Sequence, residues 1–598
     1  MTAATAIKRT ERSNERQQYA LAAAPFLILL VFYLTCVALV SPAGNFPLND
    51  DWIYTQAVKT FMQTGQFVLY GCCCAACPVH VLIGAAVSAI FGFSYEALRV
   101  TSLIFGFAGT VCLYLTLREL KISKTVALIS SLIYCANPIF LNIFFSYMTD
   151  GPSAAFIAMY MYAVIRGINR NSAGAFIAGG LSLMCAVAVR QTNAVFIVAN
   201  FLLASIMCVR RKQSWSLFIW LVALPLITFF AADRMLTVAK TDAGYDWYKR
   251  TSSGGLLSTI MQKPWKSLCK FDALVGAAAC YMGLFLAPVF LAIPRRLKAS
   301  TMARIRMLGI TVAVSISIVA TALVQLIGRD KTMMPFSLNL LRVPSLGALP
   351  IMGINFYPLH RNASFWFTSV AAVLAVVFLS VLVAAFFKGA VMLVRYVKGI
   401  KATATIPIDS KLRTALDGKF RRVITCMFCL ACTALSLSIV ALQVWMGNID
   451  RYYLIALAPC IVAAALLSRW LNTRPLLWAQ IPLVLLLAAY SIAAQQDYMG
   501  WNRARWTALR SLEARGIKPG DIDGGAEYFF LHNLTWTNLR PENRGAPPRN
   551  QWRWWPATGE KYIVSFSPIP DYDLFDTQKY WSALSFSKRN VYVLKAHE

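Results

Sequence analysis

Pro78-Val79-His80-Val81-Leu82-Ile83-Gly84-Ala85-Ala86-Val87-Ser88-Ala89-Ile90-Phe91-Gly92-Phe93 is an apolar stretch whose reading sets the topology of everything after it. It is about 16 residues long and holds a histidine, whereas a helix needs roughly 20 apolar residues to cross a hydrocarbon core of about 30 Å. If it crosses, the basic loops at 210–214, 294–306 and 387–422 face outward. If it lies in the interface, all three face the cytoplasm. The cytoplasmic segments then carry nearly twice as many Lys and Arg as the outer loops before the tail. The acidic residues fall mostly outside. The stretch therefore reads as a juxtamembrane helix.

Working outward, apolar runs recur at about 21–40, 97–118, 124–145, 151–168, 173–189, 192–209, 215–233, 271–293, 305–327, 364–386, 422–447, 453–471 and 475–495. Hydrophobic residues make up 58% of the 598 and charged residues only 14%, well below the proportion usual in soluble chains. The expectation is a polytopic α-helical membrane protein of about thirteen spans. Residues 1–495 form its membrane module, with juxtamembrane helices in the first outer loop, 41–96. The first run follows Lys8, Arg9, Arg12 and Arg16 and is too long for a cleaved signal peptide. This places the N-terminus in the cytoplasm.

After about residue 495 the composition turns charged, Trp-rich and Pro-rich. A helical stretch from Trp501 to Arg515, closed by Gly516, precedes strand-like runs at Tyr562–Ser567 and Val591–Lys595. Residues 496–598 are expected to form a small α+β domain outside the membrane. The net charge is +31, but its basic residues cluster in inward-facing loops such as Arg210-Arg211-Lys212 and Arg295-Arg296-Leu297-Lys298, and no basic groove interleaved with aromatics appears, so nucleic acid is not an expected partner. Among the fifteen cysteines there is no zinc spacing. The run Cys72-Cys73-Cys74-Ala75-Ala76-Cys77 is open to two readings, disulfides outside the cytoplasm or small hydrophobes packed inside.

Three outer turns could carry chemistry. Asn49-Asp50-Asp51-Trp52 puts two carboxylates near the membrane surface, where desolvation and mutual repulsion raise a pKa and suit a general base. Alternatively, one of them caps the helix that follows. In Ser146-Tyr147-Met148-Thr149-Asp150-Gly151-Pro152, Asp150 stands at the mouth of a span, as a site carboxylate or as a cap. Near the end, Asp450-Arg451-Tyr452-Tyr453 offers an arginine fork for phosphate or a local ion pair with Asp450. Arg190, in the tight turn after Val189, lies on the same side and is costly to hold near lipid. Tyr54, His80 and Tyr452 join the candidates as possible substrate contacts.

Taken in order, "NDDWIYTQAVKTFMQTGQF", "SYMTDGP", "VRQT" and "DRYYLIALAP" resemble the GT-C superfamily of glycosyltransferases that use lipid-linked sugars. Its protein O-mannosyltransferases and the lipid A aminoarabinose transferase are the nearest in pattern. The tail segment "WNRARWTALRSLEARGIKPGDIDGG" looks like the outer domain of bacterial members. The resemblance implies a GT-C-like fold in a bacterial inner membrane, with a periplasmic C-terminal domain. It makes Asp50 the catalytic carboxylate, with Asp51 beside it and Asp150 as the second acidic group. Arg190, Arg451, Lys240 and Arg342 become candidates for the donor phosphate, with Lys249, Arg250, Arg329 and Lys331 as alternatives. The implied partners are a polyprenyl-phosphate-linked sugar, a glycan, lipid or protein acceptor, and membrane lipid.

One departure stands out. The aminoarabinose enzyme has a phosphate-contacting Lys-Pro pair before its juxtamembrane helix, where this chain has Cys77-Pro78. The extra acidic motifs of the metal-dependent oligosaccharyltransferases are absent, so no cofactor and no essential metal is expected. The rival readings are a transporter or lipid-linked-glycan flippase, and an O-antigen polymerase or ligase built on the loop 328–363. Spans nearly free of charge, with acidic residues at their outer ends, favour surface chemistry over a translocation path.

Overall fold

The computed structural model describes residues 23–70, 73, 75–211, 215–238, 262–294, 301–327, 340–341, 347, 351, 361–403, 410–447, 449–532 and 561–597. Helix α1, Ala23–Val40, shows why a membrane helix packs as it does. Leu29, Tyr33, Cys36 and Val40 recur at helical spacing and are buried, while Leu27, Val31 and Leu34 face outward. In a membrane that outer stripe meets lipid. The Tyr33 hydroxyl donates to the Leu103 carbonyl at 2.7 Å on a neighbouring helix, so its polar atom is satisfied within the bundle.

The first outer loop holds α2, Asp51–Thr64, and α3, Pro78–Phe91. At 14 residues α3 is about 21 Å long, too short to cross. One of its faces (His80, Val81, Gly84, Ser88) is buried, and Leu82, Ile90 and Phe91 are exposed. Gly84 allows the close contact beneath it, since a Cβ there would lie 2.4 Å from the Tyr147 hydroxyl. Next come α4, Tyr95–Glu119, and the broken pair α5, Lys124–Cys135, and α6, Pro138–Phe144, bent by 59°. Pro138 cannot continue α5, and the Asn137 side chain accepts from Ile139 N at 2.9 Å to start α6.

Helices α7, Asp150–Arg170, α8, Ala173–Val189, and α9, Phe196–Arg211, follow. Ser216–Phe218, a π-turn over Ile219–Ala223 and Leu224–Val238 continue as one helix, α10. The bundle is completed by α11, Pro264–Phe290, α12, Thr301–Ile327, α13, Arg361–Thr403, α14, Ser410–Gly447, and α15, Leu454–Trp470. Two short strands, β1 (Ala292–Pro294) and β2 (Thr473–Pro475), pair antiparallel between helix ends.

The chain is a polytopic helical membrane protein. Among the described residues nine helices are long and apolar enough to cross, or ten if the bent pair counts as one span. The expected spans 151–168, 173–189 and 305–327 are helices that fall outside that count: α7 is less apolar, and Ala173–Val189 and Thr311–Leu323 are shorter apolar stretches. The tail differs more. Instead of a span ending near 495 and a separate helix from 501, α16 runs unbroken from Leu477 to Ala514. No proline interrupts the polar stretch Gln495-Gln496-Asp497, so the helix leaves the membrane without a break. Gly516, at φ +80°, then ends it: Gly516 N donates to Glu513 O and Ile517 N to Leu512 O. A four-stranded sheet follows in the order β3-β4-β6-β5, from β3 (Ile522–Asp523), β4 (Tyr562–Ser565), β5 (Tyr572–Ser582) and β6 (Ser587–Ala596), with α17, Ala526–Leu531, after β3.

Candidate active site

Four helix ends meet on one side of the bundle: the start of α2, the start of α7, the end of α8 and the turn Asp50 faces at the head of α15. Helix N-termini are partially positive, which favours carboxylates and anions there. Asp50 occupies the N-cap position of α2, yet its side chain makes no capping hydrogen bond. It reaches Arg451 instead, with Oδ2 2.6 Å from a guanidinium NH1. The same arginine presents Nε to Asp150 Oδ2 at 3.9 Å. Asp150 Oδ1 in turn accepts from Arg190 at 2.5 Å. The result is a chain of alternating charge, Asp50–Arg451–Asp150–Arg190, drawn from opposite ends of the sequence.

Tyr452 lies between the two cations, its ring 5.3 Å from the Arg190 guanidinium carbon and 5.5 Å from that of Arg451. Arg190, Asp150, Arg451 and Tyr452 line a cavity of about 10 Å³ together with Ser153 and Asn193. That is room for about one water. Asp150 Oδ2 and Arg451 Nε have no hydrogen-bond partner, so the site contains buried polar atoms free to take a ligand. The local ion pair between Asp450 and Arg451 does not form. Asp450 accepts from the backbone N–H of Leu340 and Leu341, at 2.9 and 2.6 Å, and Arg451 turns to Asp50.

Asp51 plays a different part from Asp50. It is buried, with Oδ1 accepting from Leu48 N at 2.7 Å and Oδ2 from Tyr147 N at 3.1 Å. Burial pushes its carboxyl up to about 7, against the lowering effect of Arg99 and the two amides. It ties the α2 start to the turn before α7. His80 is also enclosed, its Nε2 3.2 Å from the Tyr147 carbonyl and its ring stacked on Tyr147 at 3.9 Å. Burial lowers its imidazole to about 4, so it is uncharged at neutral pH. The ring meets Tyr54 edge-on at 5.7 Å, and the Tyr54 hydroxyl accepts from Thr149, the residue before Asp150. His80 therefore brings no positive charge in place of the missing lysine. Cys73 and Cys77 are buried free thiols, so for these two the disulfide reading fails. Lys240 and Arg342 lie outside the described residues, as do Cys72, Cys74, Lys249, Arg250, Arg329 and Lys331. Among the described residues no group of three His, Cys, Asp or Glu could hold a metal ion.

Sequence reasoning missed the support beneath Asp50. Asn49, at φ +56°, donates its N–H to Glu527 Oε1 at 3.0 Å. Glu527 belongs to α17, and its other oxygen pairs with buried Arg505 at 2.9 Å. Trp52 stacks on Phe530 with ring centroids 4.8 Å apart. Arg99 donates to the carbonyls of Pro42, Gly44 and Phe46, and Arg503 to those of Val40, Ser41 and Ala43. The loop that presents Asp50 is thus gripped by α4 and by the C-terminal region. Nothing local in the string around Glu527 signals a contact 478 positions away.

Residues 75–232 match the family model described as dolichyl-phosphate-mannose-protein mannosyltransferase, a stretch that includes α3, Asp150 and Arg190. The likeness to protein O-mannosyltransferases read from the sequence has this family match beside it over that stretch alone. No curated protein matches the sequence. Three solved structures match the chain at low identity. The Saccharomyces cerevisiae protein O-mannosyltransferase Pmt1-Pmt2 complex, bound to the sugar donor, matches 36% of this chain and 33% of its own at 17% identity and a TM-score of 0.30. The oligosaccharyltransferase AglB from Archaeoglobus fulgidus, solved with an inhibitory peptide and a dolichol-phosphate, gives 15% identity, 90% and 62% coverage and 0.40. ArnT from Cupriavidus metallidurans, bound to undecaprenyl phosphate, gives 9%, 96% and 98%, and 0.36. The chain spans about a third of the yeast protein's length and under two thirds of the archaeal one's.

Proposed function

We propose that this protein is an inverting glycosyltransferase that moves a sugar from a polyprenyl-phosphate donor to an acceptor hydroxyl at the outer face of the membrane. The observation that carries the reading is the Asp50–Arg451–Asp150–Arg190 chain, which sets a carboxylate beside two guanidinium groups where four helix ends converge.

The charges divide the work. The donor's phosphate is an anion that competes with Asp50 and Asp150 for Arg451 and Arg190. Once it takes a guanidinium fork, Asp50 is released as a base. The acceptor oxygen attacks the anomeric carbon, its proton goes to Asp50, and the bond from that carbon to the phosphate oxygen breaks. Charge builds on the departing phosphate, where a preorganised cation is most effective. A single displacement inverts the anomeric centre. Asp150 keeps Arg190 and Arg451 aimed at the phosphate. An apolar cavity of about 230 Å³ between α11, α13 and α14 offers room for part of an isoprenoid chain.

The test is direct. Purified full-length protein in liposomes would receive a labelled polyprenyl-phosphate sugar and membrane extract. Formation of a labelled glycoside supports the reading. Movement of the labelled donor between leaflets, with no glycoside formed, would replace it with lipid transport.

A further inference from the structure

The hairpin between β5 and β6 is oriented by α16. Leu477 to Asp497 is 20 residue steps, about 30 Å of helix, so a helix that enters the hydrocarbon core near Leu477 leaves it near Asp497. There Asp497 holds the hairpin tip: it accepts from the Ser582 hydroxyl at 2.6 Å, from Ala583 N at 2.5 Å and from Leu584 N at 3.4 Å. One turn further along, Gly500 lets β5 approach closely, since a Cβ would lie 3.3 Å from the Tyr580 ring. At the far end of the helix Arg515 meets Asp576 at 3.4 Å and covers the Phe575 ring at 5.0 Å. Strand β5 therefore runs alongside α16 in the opposite direction. Its tip is level with Asp497, and Phe575 stands about 23 Å farther along the strand, at roughly 3.3 Å per residue.

The tip carries what a membrane interface takes. Trp581 is 51% exposed and Phe586 81%. Phe586 holds φ +50°, a conformation costly for a bulky side chain, where glycine would fit without strain. Lys588 is the cross-strand partner of Trp581, and Lys579 lies two residues before Trp581 on the same face; both are exposed. Exposed aromatics flanked by lysines match headgroup chemistry, with rings at the glycerol level and ammonium groups at the phosphates.

We propose that this tip is a lipid-binding contact that seats the C-terminal sheet on the headgroups of the protein's own membrane. The inference does not depend on the catalytic reading or on which face of the membrane is outside.

The test places a photoreactive residue in the full chain, Phe586→p-benzoylphenylalanine, in nanodiscs containing one part anionic to about two parts zwitterionic phospholipid. Leu574→p-benzoylphenylalanine serves as the control, because Leu574 is 63% exposed but lies at the distant end of β5. After illumination, mass spectrometry should find phospholipid adducts at position 586 at least about fivefold above those at 574, enriched in the anionic lipid. Adducts to another protein chain, no lipid adduct at 586, or equal yields at both positions would overturn the proposal.

Discussion

Asp50 and Arg451 are 401 positions apart in the chain and meet at 2.6 Å. The arginine is almost enclosed and the carboxylate partly open, so the pair can exchange its anion with one that arrives from outside.

Arg451 serves two carboxylates at once, through NH1 and Nε. A lysine has a single charged atom and cannot reproduce the fork. Arg451→Lys should keep the fold but raise the KM for the donor by more than about tenfold, and Arg451→Ala should also lower thermal stability. An unchanged donor KM in Arg451→Lys would remove Arg451 from phosphate binding.

Arg190 and Asp150 form a buried pair, and removing one member of such a pair typically costs about 3–5 kcal/mol. Arg190→Met or Asp150→Leu alone should therefore lower the unfolding midpoint substantially. The double variant should recover most of that loss while remaining inactive. Wild-type stability in both single variants would show that the pair contributes nothing to the fold.

Glu527 holds the amide just before Asp50 and is itself fixed by Arg505. Glu527→Ala should reduce kcat with little change in donor KM, because it displaces the base and not the phosphate site. Glu527→Gln keeps an acceptor for Asn49 N and should retain more activity. A parallel rise in KM in both variants would point to a site collapsed as a whole.

Asp51 supplies a pH signature. Its carboxyl is raised to about 7 in the folded protein from an ordinary value near 4, so between those limits the folded state binds the extra proton. Stability should then fall as pH rises from about 4 to about 7 and level off above. Asp51→Asn lacks this slope, so the wild type should lose stability relative to it over that window. Arg99 and Glu527 are the charged groups that modulate the effect. Unfolding midpoints in detergent that run parallel for the two proteins would refute the assignment.

The membrane architecture was largely legible in the sequence because it rests on local properties: apolar length, the periodic burial of Leu29, Tyr33, Cys36 and Val40, and the shortness of α3. Asp50, Asp150, Arg190 and Arg451 could be singled out because the strings that carry them resemble GT-C glycosyltransferases and because ionisable groups held close to lipid are costly. Their roles could not be separated there. Asp50 and Asp51 are neighbours with the same chemistry, and only the fold turns one to Arg451 and the other to two backbone amides. The Glu527–Asn49 contact joins segments 478 positions apart, and the polar stretch Gln495-Gln496-Asp497 reads as the end of a span although α16 continues through it. Composition could not supply either.

The account rests on Asp50 as the base. Purified wild type and Asp50→Asn would be compared for transfer from a labelled polyprenyl-phosphate sugar, with donor binding and thermal unfolding measured alongside. Asn is the same size and cannot take the acceptor's proton, so the rate should fall at least about a hundredfold while the fold and donor binding persist. Transfer by Asp50→Asn at near the wild-type rate would contradict the assignment.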